Sequence, residues 1–337
     1  MLPKKILVLG SNSFTGSHFV DYALQHSDAS VVGISRSPEY NPLFLPYLYK
    51  KSGRPERFQF HQLDLNKDLE HIIDIADRER PDMIVNYSAQ GEVRNSWRFP
   101  AQWFETNCMA VVRLADKLKD KDYLKRYVAI STPEVYGSTQ QNIQENNEHS
   151  PSTPYAASKL AGDLFLSALQ KRDGFPVVFT RSANVYGIHQ QLFRIIPKTI
   201  SFLKLGKVIE LHGGGKSKRS FVHVRDVASA TWKAATLGKT GEVYHISPDR
   251  AGEVISIAEL VKKICNFTGH DFTLSTKVSD ENFGQDAMYS LDSYKARREL
   301  GWRQTISLNE GIRETANWID ENWEQIRSLP FDYIHKE

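Results

Sequence analysis

The sequence predicts an α/β protein, a doubly wound parallel sheet with a smaller mixed α/β lobe toward the C-terminus. Three observations carry this. Short apolar runs alternate with helical patterns through the first half, which is how strands buried on both faces and their crossover helices read. A glycine-bounded turn, Gly10-Ser11-Asn12-Ser13-Phe14-Thr15-Gly16, follows the first apolar run. After Arg181 the alternation breaks, and at roughly 150 residues per domain the 337 residues suffice for about two domains. The sheet domain is expected over 1–180 with a returning segment at 220–248, and the lobe over 181–219 and 249–337.

Strands are expected at 6–9, 31–34, 58–63, 83–87, 127–130 and 177–180, each a short run of largely apolar residues. Helical spacing fills the intervals at 17–25, 69–78, 103–117 and 157–171. Beyond them come a turn at Gly213-Gly214-Gly215, a strand near 221–224 and an amphipathic helix over 257–265. Helical spacing over 308–326 includes Trp318 and Trp323. Trp97 and Trp103 either line a helix pair between subunits or fill core, and core is favoured.

Apolar residues at 40% and charged residues at 25% are ordinary globular usage and exclude a disordered chain. Lys and Arg number 43 against 40 Asp and Glu, and a net charge of +3 is too small to imply nucleic acid as the main partner, so none is expected. Cys108 and Cys265 stand far apart in no metal-ligand spacing, so both are expected buried and reduced, with no metal site. The opening residues lead straight into the first strand, without a signal-peptide pattern or a run of ~20 apolar residues. A cytoplasmic protein with no membrane partner is expected.

In the glycine turn, Gly10 permits the tight bend and Gly16 lets helix and strand approach, so that helix N-terminal amides face a pyrophosphate. Where an acid would read the ribose of NAD, the second strand ends in Ser35-Arg36-Ser37. Arg36 either holds the 2′-phosphate of NADP or stacks on adenine, and NADP is favoured over NAD. Asp64 either bonds the adenine amino group or stands in a surface turn.

Tyr155 and Lys159, four apart, share one face of a helix. An ammonium beside a phenol favours the phenolate, which can accept a hydroxyl proton while hydride leaves the same carbon. Thr132 and Glu134 follow the strand at 127–130 and fall at the sheet's carboxyl edge. A carboxylate there can remove a proton from carbon next to a ketone.

With these residues in view, the chain resembles the extended short-chain dehydrogenase/reductases, specifically the nucleotide-sugar 4,6-dehydratases. The likeness rests on the glycine turn, Asn86-Tyr87-Ser88-Ala89-Gln90, Glu105-Thr106-Asn107, the segment 132–137 and the Tyr155/Lys159 pair. It extends to Arg181-Ser182-Ala183-Asn184-Val185-Tyr186-Gly187, Arg219-Ser220-Phe221-Val222-His223-Val224 and Glu299-Leu300-Gly301-Trp302. The resemblance implies a Rossmann domain with a nucleotide-sugar lobe, a homodimer paired through two helices of each subunit, and a lyase of deoxysugar biosynthesis. It implies NADP or NAD tightly bound and recycled, lined by Gly10, Ser13, Phe14, Thr15, Gly16, Arg36, Ser37, Asp64, Leu65, Ser88, Ala89, Gln90, Asn107, Tyr155 and Lys159.

By the same resemblance Tyr155 takes the C4 hydroxyl proton, Thr132 bonds the C4 oxygen, Glu134 removes the C5 proton, and Asn184 and Arg219 contact the sugar diphosphate. Departures from the family pattern are Ser13 at the middle glycine, expected to narrow the pyrophosphate approach, and Pro133, which cannot donate a proton to the leaving C6 hydroxyl. Glu92 replaces a frequent histidine and is expected to face the sugar. Asn282 replaces an arginine, so that a phosphate contact falls to Lys198 or Arg194. A 4-epimerase, a uronic-acid decarboxylase and a binding protein without turnover are the alternatives.

Overall fold

The computed structural model describes residues 2–138, 142–146, 148–248, 254–280 and 290–335. Strands β1 (Lys5–Leu9), β2 (Ser30–Ser35), β3 (Phe58–Gln62), β4 (Met83–Asn86) and β5 (Arg126–Ile130) join Val177–Ser182 and Val243–Ile246 in one seven-stranded sheet. Every pairing in it is parallel, and the spatial order runs β3-β2-β1-β4-β5, then Val177–Ser182, then Val243–Ile246 at the edge. This is the Rossmann arrangement, with the order reversing between β1 and β4.

The strands read as continuous apolar runs because both faces are covered. Ile6 and Val8 of β1 enter one core, and Leu7 and Leu9 enter the other. Helices α1 (Phe14–His26) and Val224–Leu237 cover the first face through Phe19, Val20, Val227 and Ala230. Helices α2 (Leu69–Glu79), Ala110–Leu118 and Pro154–Asp173 cover the second through Ile72, Leu114 and Leu166.

A third core belongs to the lobe. Helices Ile195–Lys204, Ile257–Thr268 and Leu308–Glu321 pack there through Ile196, Ile200, Leu260, Ile264, Ile312 and Ile319. Strand Lys218–His223 runs parallel to Asn184–Tyr186 and antiparallel to Val254–Ser256. No helix among the described residues is long and apolar enough to cross a membrane.

Four expectations are corrected. The pattern over 103–117 begins at Pro100 and is interrupted by a wider, π-helical turn at Glu105–Met109. The pattern over 308–326 breaks at Asn322, whose side-chain amide donates to Trp318 O and Tyr49 Oη instead of continuing a helical face. Trp97, on the short surface helix Val93–Arg98, is 55% exposed, whereas Trp103 is fully buried as expected. Cys108 is only half-buried because it lies on the wider turn beside exposed Met109, while Cys265 is buried in the lobe core.

Candidate active site

The turn after β1 is held open at one end and closed at the other. Gly10 adopts φ +74°, and a Cβ on it would stand 2.8 Å from the Ser88 nitrogen and the Tyr87 carbonyl carbon, so only glycine lets the end of β4 come this close. A Cβ on Gly16 would collide with Gly10 O. Ser13 stands in the middle of the turn, just before α1. Its hydroxyl folds back, donating to Gly10 O at 2.7 Å and accepting from Gly16 N–H at 3.2 Å as the N-cap of α1. Amides of the first helical turn, where Phe14 and Thr15 stand, have no intrahelical acceptor and face the carboxyl edge of the sheet.

Asn12 fixes the neighbouring loop by donating to Ser37 O at 3.0 Å and Pro38 O at 2.8 Å, which sets Arg36 and Ser37 beside the turn. Asp64 Oδ1 accepts from Asn66 N–H at 2.8 Å. Leu65 is buried in the second core.

The Asn107 side chain bridges two elements. Its Oδ1 accepts from Gln90 N–H at 2.9 Å, and its Nδ2 donates to Gln90 O and to Ser158 Oγ, both at 3.0 Å. The side chain is thus a clamp joining the loop of Ser88, Ala89 and Gln90 to helix Pro154–Asp173. Gly162 lets these elements approach, since a Cβ there would lie 2.5 Å from Asn107 O.

On that helix the Thr153 N-cap and Pro154 at its first position fix where the helix begins, which sets Tyr155 and Lys159 one turn apart near its start. Lys159 is buried and donates to Ile130 O at 2.8 Å, at the end of β5. Burial pushes its ammonium below the ordinary lysine value, Asp163 pulls it back, and Arg181 pushes it down again. Around it, Ser131 Oγ donates to Asp163, and Arg181 donates to Asp163 at 3.1 Å and to Tyr136 Oη at 2.6 Å. His245 Nε2 completes the group at 2.8 Å from the same phenol oxygen.

Thr132 caps the short 3-10 turn Pro133–Tyr136, its Oγ1 accepting from Glu134 N–H at 3.3 Å. Pro133 suits the first position of that turn, where no N–H is needed. Arg194 stands just before helix Ile195–Lys204, as its N-cap. It is exposed at its place in the chain. Desolvation lowers its guanidinium, and Glu92, Tyr155, Tyr333 and Glu134 oppose that shift. One cation therefore has both Tyr155 and Glu134 as electrostatic neighbours.

The remaining residues expected to contact substrate make intramolecular bonds as follows. Glu92 caps helix Val93–Arg98 by accepting from Asn95 N–H at 2.7 Å. Asn184 donates to Ser220 O at 3.3 Å, and Arg219 donates to Lys218 O at 2.8 Å. Lys198 pairs with Asp332 at 3.0 Å. Asn282 lies outside the described residues.

A profile of the family described as GDP-mannose 4,6 dehydratase matches residues 7–315. The chain belongs to this family. Within it and around it the similarity runs nearly full length. A dTDP-glucose 4,6-dehydratase of Haemophilus influenzae is 31% identical over 340 residues, covering 93% of this chain and 97% of that one. Among solved structures, the dTDP-glucose 4,6-dehydratase of Streptomyces venezuelae, with NAD bound, superposes with a TM-score of 0.86 at 29% identity, covering 95% of this chain and 98% of the other. The UDP-glucuronic acid 4-epimerase of Bacillus cereus, in complex with UDP-glucuronic acid and NAD, reaches 0.84 at 26% identity, covering 94% and 99%. This GDP-mannose 4,6 dehydratase family member is therefore an extended short-chain dehydrogenase/reductase. Sequence reading did not single out Asp163, Ser131, Tyr136 or His245. Asp163 carried a usable signal, since it lies one helical turn beyond Lys159 on the same face.

Proposed function

We propose that the chain is a nucleotide-diphosphate-hexose 4,6-dehydratase, and one observation carries that reading. Arg194 has both Glu134 and Tyr155 as electrostatic neighbours, which fits a base for a carbon acid and a proton acceptor for a hydroxyl acting on one substrate. The glycine turn, the Phe14 and Thr15 amides and Lys159 fit a nicotinamide dinucleotide, with Asn107 acting as a positioning residue behind them. When bound, the dinucleotide supplies the hydride acceptor for C4 oxidation and the hydride donor for C6, so it is retained and recycled. Arg36 and Ser37, with no acid beside them, favour NADP over NAD.

The protein's own part runs as follows. The Lys159 ammonium favours the Tyr155 phenolate, which takes the C4 hydroxyl proton. Thr132 accepts from the Glu134 amide and so keeps its hydroxyl hydrogen to donate to the C4 oxygen. The 4-ketone acidifies the C5–H, and Glu134 removes that proton. Because Pro133 has no donor, the protonated Glu134 returns the proton to the C6 hydroxyl, which leaves as water. Arg194 is better placed than Lys198 to meet the sugar diphosphate, because Lys198 already holds Asp332. Glu92, Asn184 and Arg219 complete the substrate side. The cytoplasm suits the unpaired Cys108 and Cys265. A homodimer is supported by exposed Phe104, Met109 and Leu164 on the two neighbouring helical segments.

A sugar 4-epimerase is the second reading, favoured by the likeness to the Bacillus cereus enzyme. It needs the same C4 oxidation and no base at C5. Incubation with a pool of guanosine-, uridine-, cytidine- and deoxythymidine-diphosphate hexoses, followed by mass spectrometry, separates the two. Loss of one water from one member is expected, whereas a new isomer of unchanged mass selects the epimerase. Glu134→Gln should lower turnover by roughly 10²- to 10⁴-fold and leave the dinucleotide titration unchanged. Undiminished product formation in that variant removes Glu134 as the C5 base.

A further inference from the structure

The last described residues return to the cleft. Beyond helix Trp323–Ile326, Leu329 and Phe331 pack on the lobe core, with Phe331 edge-on to Phe202 at 5.8 Å. Asp332 pairs with Lys198 at 3.0 Å, and Tyr333 meets Phe193 edge-on at 5.2 Å. His335 then lands on the sheet domain. Its ring stacks on Phe99 at 5.0 Å and on Trp103 at 5.6 Å, and its Nε2 lies 2.9 Å from Gln102 Oε1. One short segment thus ties helix Ile195–Lys204 to helix Pro100–Phe104.

Both anchors flank the site. Arg194 immediately precedes the first, and the second leads through the wider turn to the Asn107 clamp. Tyr333 sits between them. Burial raises its phenol, Glu92 and Tyr40 add to that, and Arg194 and Arg36 oppose it. These four groups come from the loop after β4, the loop after β2 and the lobe. All four act electrostatically on one phenol, on a segment that spans from Phe193 and Lys198 to Phe99 and Trp103. A phenol kept protonated is a hydrogen-bond donor, and the two nearby guanidiniums favour an anion.

We propose that residues 329–335 form a strap across the cleft and that Tyr333 is a binding residue it delivers, donating to a diphosphate oxygen. The inference rests on reading the cleft as a dinucleotide and nucleotide-sugar site. The diphosphate belongs either to the dinucleotide or to the nucleotide sugar, and the strap's closure keeps water and ligand exchange away from the chemistry between its two hydride steps.

Tyr333→Phe keeps the ring on Phe193 and removes only the donor. His335→Ala releases the far anchor and keeps the phenol. Each is titrated by calorimetry with NAD+, NADP+, GDP and dTDP, alongside thermal melting. Tyr333→Phe should weaken one class of probe by roughly 3- to 10-fold with melting unchanged, the span of one net hydrogen bond. His335→Ala should weaken the same class at least as much. Weakening of NAD+ or NADP+ alone assigns the contact to the dinucleotide, and weakening of GDP or dTDP alone assigns it to the nucleotide sugar. Affinities equal to wild type for all four probes in both variants overturn the strap. Failure of the dehydratase reading shows separately, as absence of water loss in the wild-type mass assay, while these binding ratios still report on Tyr333.

Discussion

Lys159 shows how much surrounding structure one buried ammonium requires. Its charge is supported by the Ile130 carbonyl and by Asp163, and Asp163 is in turn held by Ser131 and Arg181. His245 borders the same network and stays neutral, burial and then the Arg181 guanidinium holding it down at about 3. His189, buried against Leu43 O at 2.7 Å, is held down at about 4, chiefly by burial. Histidines of the unfolded chain titrate near 6.5, so on acidification the unfolded state takes up protons first. Both groups have depressed folded values, and the stability they permit is present above about pH 6.5 and falls as pH drops toward 4. Each contributes a loss of about 1.4 kcal/mol per pH unit within that window. Urea unfolding followed from pH 7 to pH 5 should therefore lose roughly 2–4 kcal/mol from this pair. A level profile over that range means that both rings are accessible to protons in the folded protein.

At the scale of elements, the segment 100–118 decides how the site is held. A wider turn at Glu105–Met109 brings Asn107 inward, where it bonds Gln90 and Ser158 together. Asn107→Ala strands the Gln90 N–H and C=O in a buried setting. It should cost about 2–4 kcal/mol of unfolding free energy, taking ~1–3 kcal/mol for each orphaned group with partial relief by water. Turnover should fall further than dinucleotide affinity, because the helix bearing Tyr155 loses its tether. Equal losses in both would make Asn107 a direct cofactor contact. Hydrophobic spacing over 103–117 made this helix legible but not its wider turn, since one turn of a different pitch hardly disturbs the pattern of a helix face. Tyr155 and Lys159 were legible for the opposite reason, their relation being local to one helix. Arg194, Tyr333 and Glu134 stand far apart in sequence, and only tertiary packing makes them electrostatic neighbours. Asp332 is the extreme case, because nothing near it in sequence points to Lys198.

At the scale of the molecule, six of the seven parallel strands were legible as alternating apolar runs, all before residue 183. The edge strand Val243–Ile246 was anticipated only as part of a returning segment, because its four residues carry a histidine and a tyrosine among the apolar positions. Exposed Phe104, Met109 and Leu164 mark the outer face of the two helical segments joined by the Asn107 clamp. Met109→Glu with Leu164→Glu should convert a dimer to a monomer in sedimentation velocity, and a monomeric wild-type protein would remove the homodimer. The late position of the edge strand has a consequence for biosynthesis. While the ribosome adds the residues between 183 and 242, Val177–Ser182 is the sheet's border and offers unpaired backbone groups on an apolar strand. A chain stalled in that interval presents a ready template for a second nascent chain. Slow codons there should lower yield by aggregation, while the same codons after residue 246 should leave it unchanged.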